Sequence, residues 1–173
     1  MLRSNKTYRE RLEMFRTNAA LGAIALLIVG GRALAENDAH ATSVGSLTIV
    51  HAWARAADAG EDTLVFLEIA NAGEADRLTG AATLVAGSVL IVGLTNAVGE
   101  ISTSPIGPVD VPPGAFELDP GGLALELRGL RQPLGIGTEV EMTLSFEKAG
   151  DVLVHVEIEA RDAMQHSHAG HAH

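Results

Sequence analysis

The chain is predicted to be an all-β domain, a β-sandwich or barrel with Greek-key connections, and three observations carry that prediction. The segment Val140-Glu-Met-Thr-Leu-Ser-Phe146 alternates apolar and polar residues with a period of two, which is the pattern of a half-buried strand. Turn-forming clusters at Pro112-Pro-Gly114, Pro120-Gly-Gly122, Gly135-Ile-Gly137 and Ala149-Gly150 punctuate the second half at roughly regular intervals. No ten-residue amphipathic helical pattern follows residue 35. Many short strands at such spacing suit a sandwich or barrel.

Taken in order, residues 1–35 read as a secretory signal peptide. Arg3, Lys6, Arg9, Arg11 and Arg16 make a basic start, the 13 residues from Ala19 to Gly31 are apolar or small, and Ala33-Leu-Ala35 supplies an A-x-A cleavage signal. The run is shorter than the roughly 20 residues of a membrane span. No membrane span is therefore expected after cleavage, and the compartment implied is the periplasm. Residues 36–45 are small and polar and read as a linker. A domain is expected over 46–160, with strands in Ser46–Arg55, Thr63–Ala70, Leu84–Leu94 (centred on Val89-Leu-Ile-Val92), Val140–Phe146 and Val152–Ile158. Trp53 and Met142 fall in core positions of their strands. The alternation stops at Arg161, so residues 161–173 are expected to be a disordered tail.

Composition excludes several functions. The formal charge is −10; residues 1–35 hold six of the 12 Lys/Arg and two of the 22 Asp/Glu, so the remainder carries −14. Such a surface repels nucleic acid and anionic lipid. With no cysteine, disulfides, thiolate metal sites and thiol catalysis are impossible. No nucleophile–histidine arrangement or phosphate loop is recognisable, and an enzyme is not expected.

The tail carries the most concentrated chemistry. His166, His168, His171 and His173 are four of the last eight residues, with Met164 just ahead. Clustered imidazoles read as a metal-binding tract, suited to copper, with zinc or nickel also fitting; the thioether of Met164 biases the set toward Cu(I). The bland alternative is a solvated tail that binds metal only incidentally. Elsewhere, His51 reads as a packing or hydrogen-bonding residue near the sandwich edge, and His155 as solvent-facing.

From Val50-His-Ala-Trp-Ala-Arg55 onward the chain resembles the PCu(A)C periplasmic copper chaperones. The resemblance runs through Ile69-Ala-Asn-Ala-Gly-Glu-Ala-Asp-Arg-Leu78, Val111-Pro-Pro-Gly114, Leu118-Asp-Pro-Gly-Gly122, Leu127-Arg-Gly-Leu-Arg-Gln-Pro-Leu134 and Leu144-Ser-Phe-Glu-Lys-Ala-Gly150, covering about residues 46 to 159. It implies a cupredoxin-like Greek-key β-sandwich and delivery of copper to a respiratory oxidase subunit or another periplasmic carrier. It also implies a Cu(I) site built from a histidine, a methionine and a His-x-Met pair. Here those ligand positions fall on Val92, Thr103, Ala124 and Glu126, and none of the four is expected to bind copper. No histidine lies between His51 and His155, and no methionine between Met14 and Met142, so no shift of alignment restores the set. Glu126 is expected to be a solvated strand carboxylate. The resulting expectation is a copper chaperone-like protein that handles the ion through its tail. The alternative is a metal-independent protein-binding module, for instance an accessory in oxidase assembly.

Overall fold

The computed structural model describes residues 41–97 and 100–166, and these form eleven strands with no helix among the described residues. The strands are β1 (Thr42–Val44), β2 (Leu47–Arg55), β3 (Thr63–Asn71), β4 (Asp76–Ala82), β5 (Ala86–Ala97), β6 (Glu100–Pro105), β7 (Val109–Val111), β8 (Gly114–Leu118), β9 (Leu123–Leu130), β10 (Glu139–Phe146) and β11 (Gly150–Glu159). Hydrogen bonding runs β6-β5-β9-β3-β2-β11-β10-β4-β7, with β1 added to β2 and β8 to β3. This is an all-β, cupredoxin-like sandwich, as expected. Its crossovers, such as β9 between β5 and β3, are the long returns of a Greek key.

Apolar alternation explains the closure. In β10, Val140, Met142, Leu144 and Phe146 are buried, and Val156, Val154 and Val152 of β11 oppose the first three across an antiparallel register, with Ile158 buried further along β11. They join Ile49, Val65, Leu67, Ile69, Leu78, Leu125 and Leu127 in one core. Met142 is fully buried there.

Two residues of the resembled motif hold the turns beside this core. The buried Asn71 amide donates to the Glu74 and Val111 carbonyls at 2.8 and 3.1 Å, and its Oδ1 accepts from the Gly73 amide at 2.9 Å. A Cβ at Gly73 would run into the Ser46 side chain, which explains the glycine. Asp76 accepts from the backbone N–H groups of Arg77, Lys148 and Ala149 at 2.7, 2.9 and 2.9 Å. It thereby pins the β10–β11 turn to the start of β4.

Strand β2 changes partners along its length. Residues 47–49 pair with β1, and residues 53–55 pair in parallel with Glu157–Glu159 of β11. Between them the register with β3 slips, so that His51 and Ala52 together oppose Leu67, a β-bulge. His51 takes the left-handed conformation there (φ 52°), alone among the described non-glycine residues.

Three sequence expectations meet different structure. The segment read as a linker over 36–45 contains β1, because Thr42–Val44 extend the sheet beside β2. The tail read as disordered from Arg161 is placed as far as His166, which packs onto the domain with 3 % exposure. Glu126, read as solvated, is buried at 6 % exposure. The signal peptide over 1–35, the start of the linker, and His168, His171 and His173 lie outside the described residues.

Candidate functional site

The second face of the β5-β9-β3-β2-β11 region carries the site. Side chains alternate across the sheet, so while Ile91, Leu125, Leu127, Val65 and Ala54 enter the main core, Val92, Ala124, Phe66 and Trp53 form a separate cluster on the opposite side. Pairing lines these up in a row. Val92 is opposite Ala124, Phe66 opposite Trp53, and Trp53 opposite Glu157.

The four positions that the resemblance marks as ligands do converge at one end of this row, but with other chemistry. Val92 and Ala124 are Cα partners and are both fully buried. Thr103 Oγ1 donates to Glu126 Oε1 at 2.7 Å, and Arg128 donates through Nε and Nη2 to Glu126 Oε2, each at 2.7 Å. The buried carboxylate is therefore held by a two-pronged charged bond and a hydroxyl, an arrangement that satisfies it without a metal. Val92 and Ala124 offer no donor atom.

The other end of the row gathers donors. Glu157 and Glu159 are two apart in β11 and share a face, beside Trp53 and Arg55 of β2. The chain beyond β11 folds back over them. Arg55 Nε donates to the Ala163 carbonyl at 2.8 Å, Arg55 Nη2 approaches Met164 Sδ at 3.4 Å, and Ala163 packs on the Trp53 cluster. Arg161 pairs with Glu61 and Asp58 at 2.8 and 3.1 Å. These contacts deliver His166, whose Nε2 lies 3.0 Å from Glu157 Oε2 and 3.9 Å from Glu159 Oε1. One donor atom from each of Glu157, Glu159 and His166 falls within 4.8 Å of the others, so the three could hold a metal ion. The His51 ring stands 5.9 Å from that of His166, and its Nδ1 is 3.7 Å from Glu68 Oε2. His51, Trp53, Phe66, Glu68, Glu117, Asp119, Met164 and His166 line one groove.

Of the residues expected in the tail site, the structure thus places Met164 and His166 together on the domain. Glu157 and Glu159 were missed, since an acidic residue alternating with valines reads as a solvated face. His155, on the same strand, does remain half exposed, 4.0 Å from Glu139. The signal available in the sequence was the nine-residue separation of Glu157 from His166, short enough for a return of the chain.

This fold and these sites define a cupredoxin-like sandwich bearing a His–carboxylate group at its C-terminal edge. The LpqE-like family model, whose description names a lipoprotein, matches residues 47–158. Among solved structures, the chain is similar to the copper-bound PCuAC domain of PmoF2, with 31 % identity and a TM-score of 0.59 over 70 % of this chain and 98 % of that one. It is also similar to the apo PCuAC domain of PmoF1, with 34 % identity and a TM-score of 0.59 over 70 % of this chain and 99 % of that one. No curated protein sequence matches. The chain belongs to the LpqE-like family and is similar to PCuAC domains over 70 % of its length.

Proposed function

We propose that the protein is an exported copper-handling protein of the chaperone type, acting through its C-terminal segment in the periplasm. The observation that carries this reading is the docking of His166 between Glu157 and Glu159, on the sheet face whose PCuAC ligand positions hold Val92, Ala124 and the Thr103–Glu126–Arg128 network. The copper-bound state of the similar PmoF2 domain supports copper as the cargo. His166 anchors the base of the segment at an acidic edge, with the Met164 thioether nearby, and His168, His171 and His173 follow it in the sequence. Fixing backbone around an ion costs about 1–2 kcal/mol per residue ordered, so a site made of the distal imidazoles alone holds an ion with moderate affinity and exchanges it quickly. That suits transfer to a respiratory oxidase subunit or another copper carrier.

Export rests on the basic, apolar and A-x-A order of residues 1–35. The lipoprotein description of the family agrees with a place outside the cytoplasm, although a chain without cysteine offers no thiol for a lipid. Titrating Cu(I) and Cu(II) into the chain from Glu36 onward, and into a version ending at Arg161, tests the reading. Loss of copper binding in the shortened chain is expected; equal binding by both would remove the segment from the mechanism. A partner captured regardless of chelator and of the truncation would favour a metal-independent binding module instead.

A further inference from the structure

We propose that Glu157, Glu159 and His166 form a folded site for one divalent ion of the Cu(II)/Zn(II) class, built by the domain and separate from the PCuAC ligand positions. It shares His166 with the reading above but needs none of the distal histidines.

The geometry comes first. Nitrogen and oxygen ligands about 2.0–2.2 Å from such an ion stand roughly 3–4 Å from each other. The observed separations of 3.0 and 3.9 Å from His166 Nε2 to the two carboxylates bracket that spacing. The donors are therefore placed for a shared ion with only small side-chain adjustment. On binding, the ion takes the place of the proton between imidazole and carboxylate, as metals do at histidine ligands.

Donor chemistry selects the ion. Two carboxylate oxygens and one imidazole suit Cu(II) or Zn(II), whereas Cu(I) seeks thioether and thiolate. The thioether nearby, Met164 Sδ, is engaged with Arg55 at 3.4 Å. Position along the face separates this site from the other one. Three strand steps, from β9 through β3 and β2 to β11, divide Ala124 from Glu157, roughly 14 Å at the usual strand spacing, and Phe66 and Trp53 fill the gap with apolar surface.

The site is also pre-organised. Arg55 on the Ala163 carbonyl and Arg161 on Asp58 and Glu61 hold the returning segment. His166 is almost wholly buried, and the side chains of Glu157 and Glu159 are only 18 and 13 % exposed. Ordering is thus met by protein contacts rather than by the ion, which raises affinity over that of a flexible imidazole tract. His51 is fixed beside the group by the bulge in β2. Its left-handed backbone is a costly conformation that concentrates at ligand clamps.

Trp53 is the only tryptophan in the chain and is the cross-strand partner of Glu157, so it reports on the site. The test uses full-length protein with Cu(II) alone and Zn(II) alone, following metal stoichiometry by calorimetry and Trp53 emission. The His168→Ala, His171→Ala, His173→Ala variant is expected to keep one equivalent of Cu(II) and its quenching of Trp53, and Cu(II) added to the Zn(II)-loaded variant should displace the zinc and quench the emission. Adding Glu157→Gln and Glu159→Gln should weaken that equivalent by at least about 10–100-fold, the loss seen even for groups that merely support ligands. His166→Gln, which leaves both carboxylates in place, should do the same. Glu74→Gln with Glu147→Gln makes the same charge change at exposed positions beside Lys148 and Arg77, away from the site, and should have no effect.

Unchanged Cu(II) affinity in the Glu157→Gln, Glu159→Gln form would overturn the proposal, as would loss of all binding in the triple histidine variant. Equal total copper binding by parent and triple variant would instead sink the role of the distal histidines and leave this site standing.

Discussion

Thr103 donates its hydroxyl to Glu126 across a 2.7 Å bond, and the resemblance to the PCu(A)C chaperones implies a methionine at each of these two positions. The exchange of soft donors for a polar pair changes what the site does for the fold. A thioether pair waits for copper, whereas a carboxylate bonded to Thr103 and Arg128 stabilises the apo protein. Glu126→Ala should therefore destabilise the domain by about 1–3 kcal/mol, since it strands a part-buried hydroxyl and removes the guanidinium's partner. Urea denaturation at neutral pH measures it. A loss below about 0.5 kcal/mol, the level of an ordinary surface substitution, would mean that the network is incidental.

Because the four positions still converge, the Cu(I) site should be recoverable. Val92→His, Thr103→Met, Ala124→His and Glu126→Met together rebuild the donor types that the resemblance implies. In the apo state this variant should be less stable than the parent, since Val92 and Ala124 are fully buried and two imidazoles must enter a packed cluster. Cu(I) should restore its melting temperature, because a ligand bound only by the native state stabilises it. Competition against a Cu(I) chelator should show one equivalent more than the parent binds. No gain would mean that the positions do not face one point.

How much of this was legible beforehand depended on where each residue's partners lie. Val140–Phe146 and Val152–Ile158 declare their strands by alternation because one face meets the core and the other meets water. Strand β4 hid because Arg77, Thr79 and Gly80 dilute its pattern, and β1, β7 and β8 hid because each is short and lies at an edge or off the main path. Glu126 misled for another reason. Its partner Thr103 is 23 residues away on a strand two places across the sheet, and sequence spacing does not report burial of that kind. His166 belonged by composition to a flexible tract, yet Arg55, more than 100 residues earlier, holds the segment that buries it. Tertiary contacts override local pattern at both places.

His51 offers a test of strain. Glycine is normally worse than alanine in a strand by roughly 0.5–1 kcal/mol. At φ 52° the order should reverse, because alanine keeps the Cβ that disfavours this conformation. His51→Gly should thus be more stable than His51→Ala by about 1 kcal/mol. Thermal denaturation of the two variants side by side measures the difference. If alanine proves the better residue, the bulge is not strained.

Asp76 sets an acid limit on the fold. Burial opposes its charge, but the N–H groups of Lys148, Arg77 and Ala149, aided by the nearby Lys148 ammonium, outweigh that and hold its carboxyl below the usual carboxylate range. A carboxyl whose folded pKa lies below its unfolded value of about 3.9 stabilises the fold fully at higher pH. That contribution fades as pH falls below about 4 and through the depressed folded value. Asp76→Asn replaces one accepting oxygen by a donor facing the backbone, and should cost about 1–3 kcal/mol at pH 7. The gap between parent and variant should narrow in denaturation curves taken at pH 7, 5 and 3, with most of the narrowing between the last two. A gap that stays constant down to pH 3 would show that the turn between β10 and β11 is held by something other than this charge.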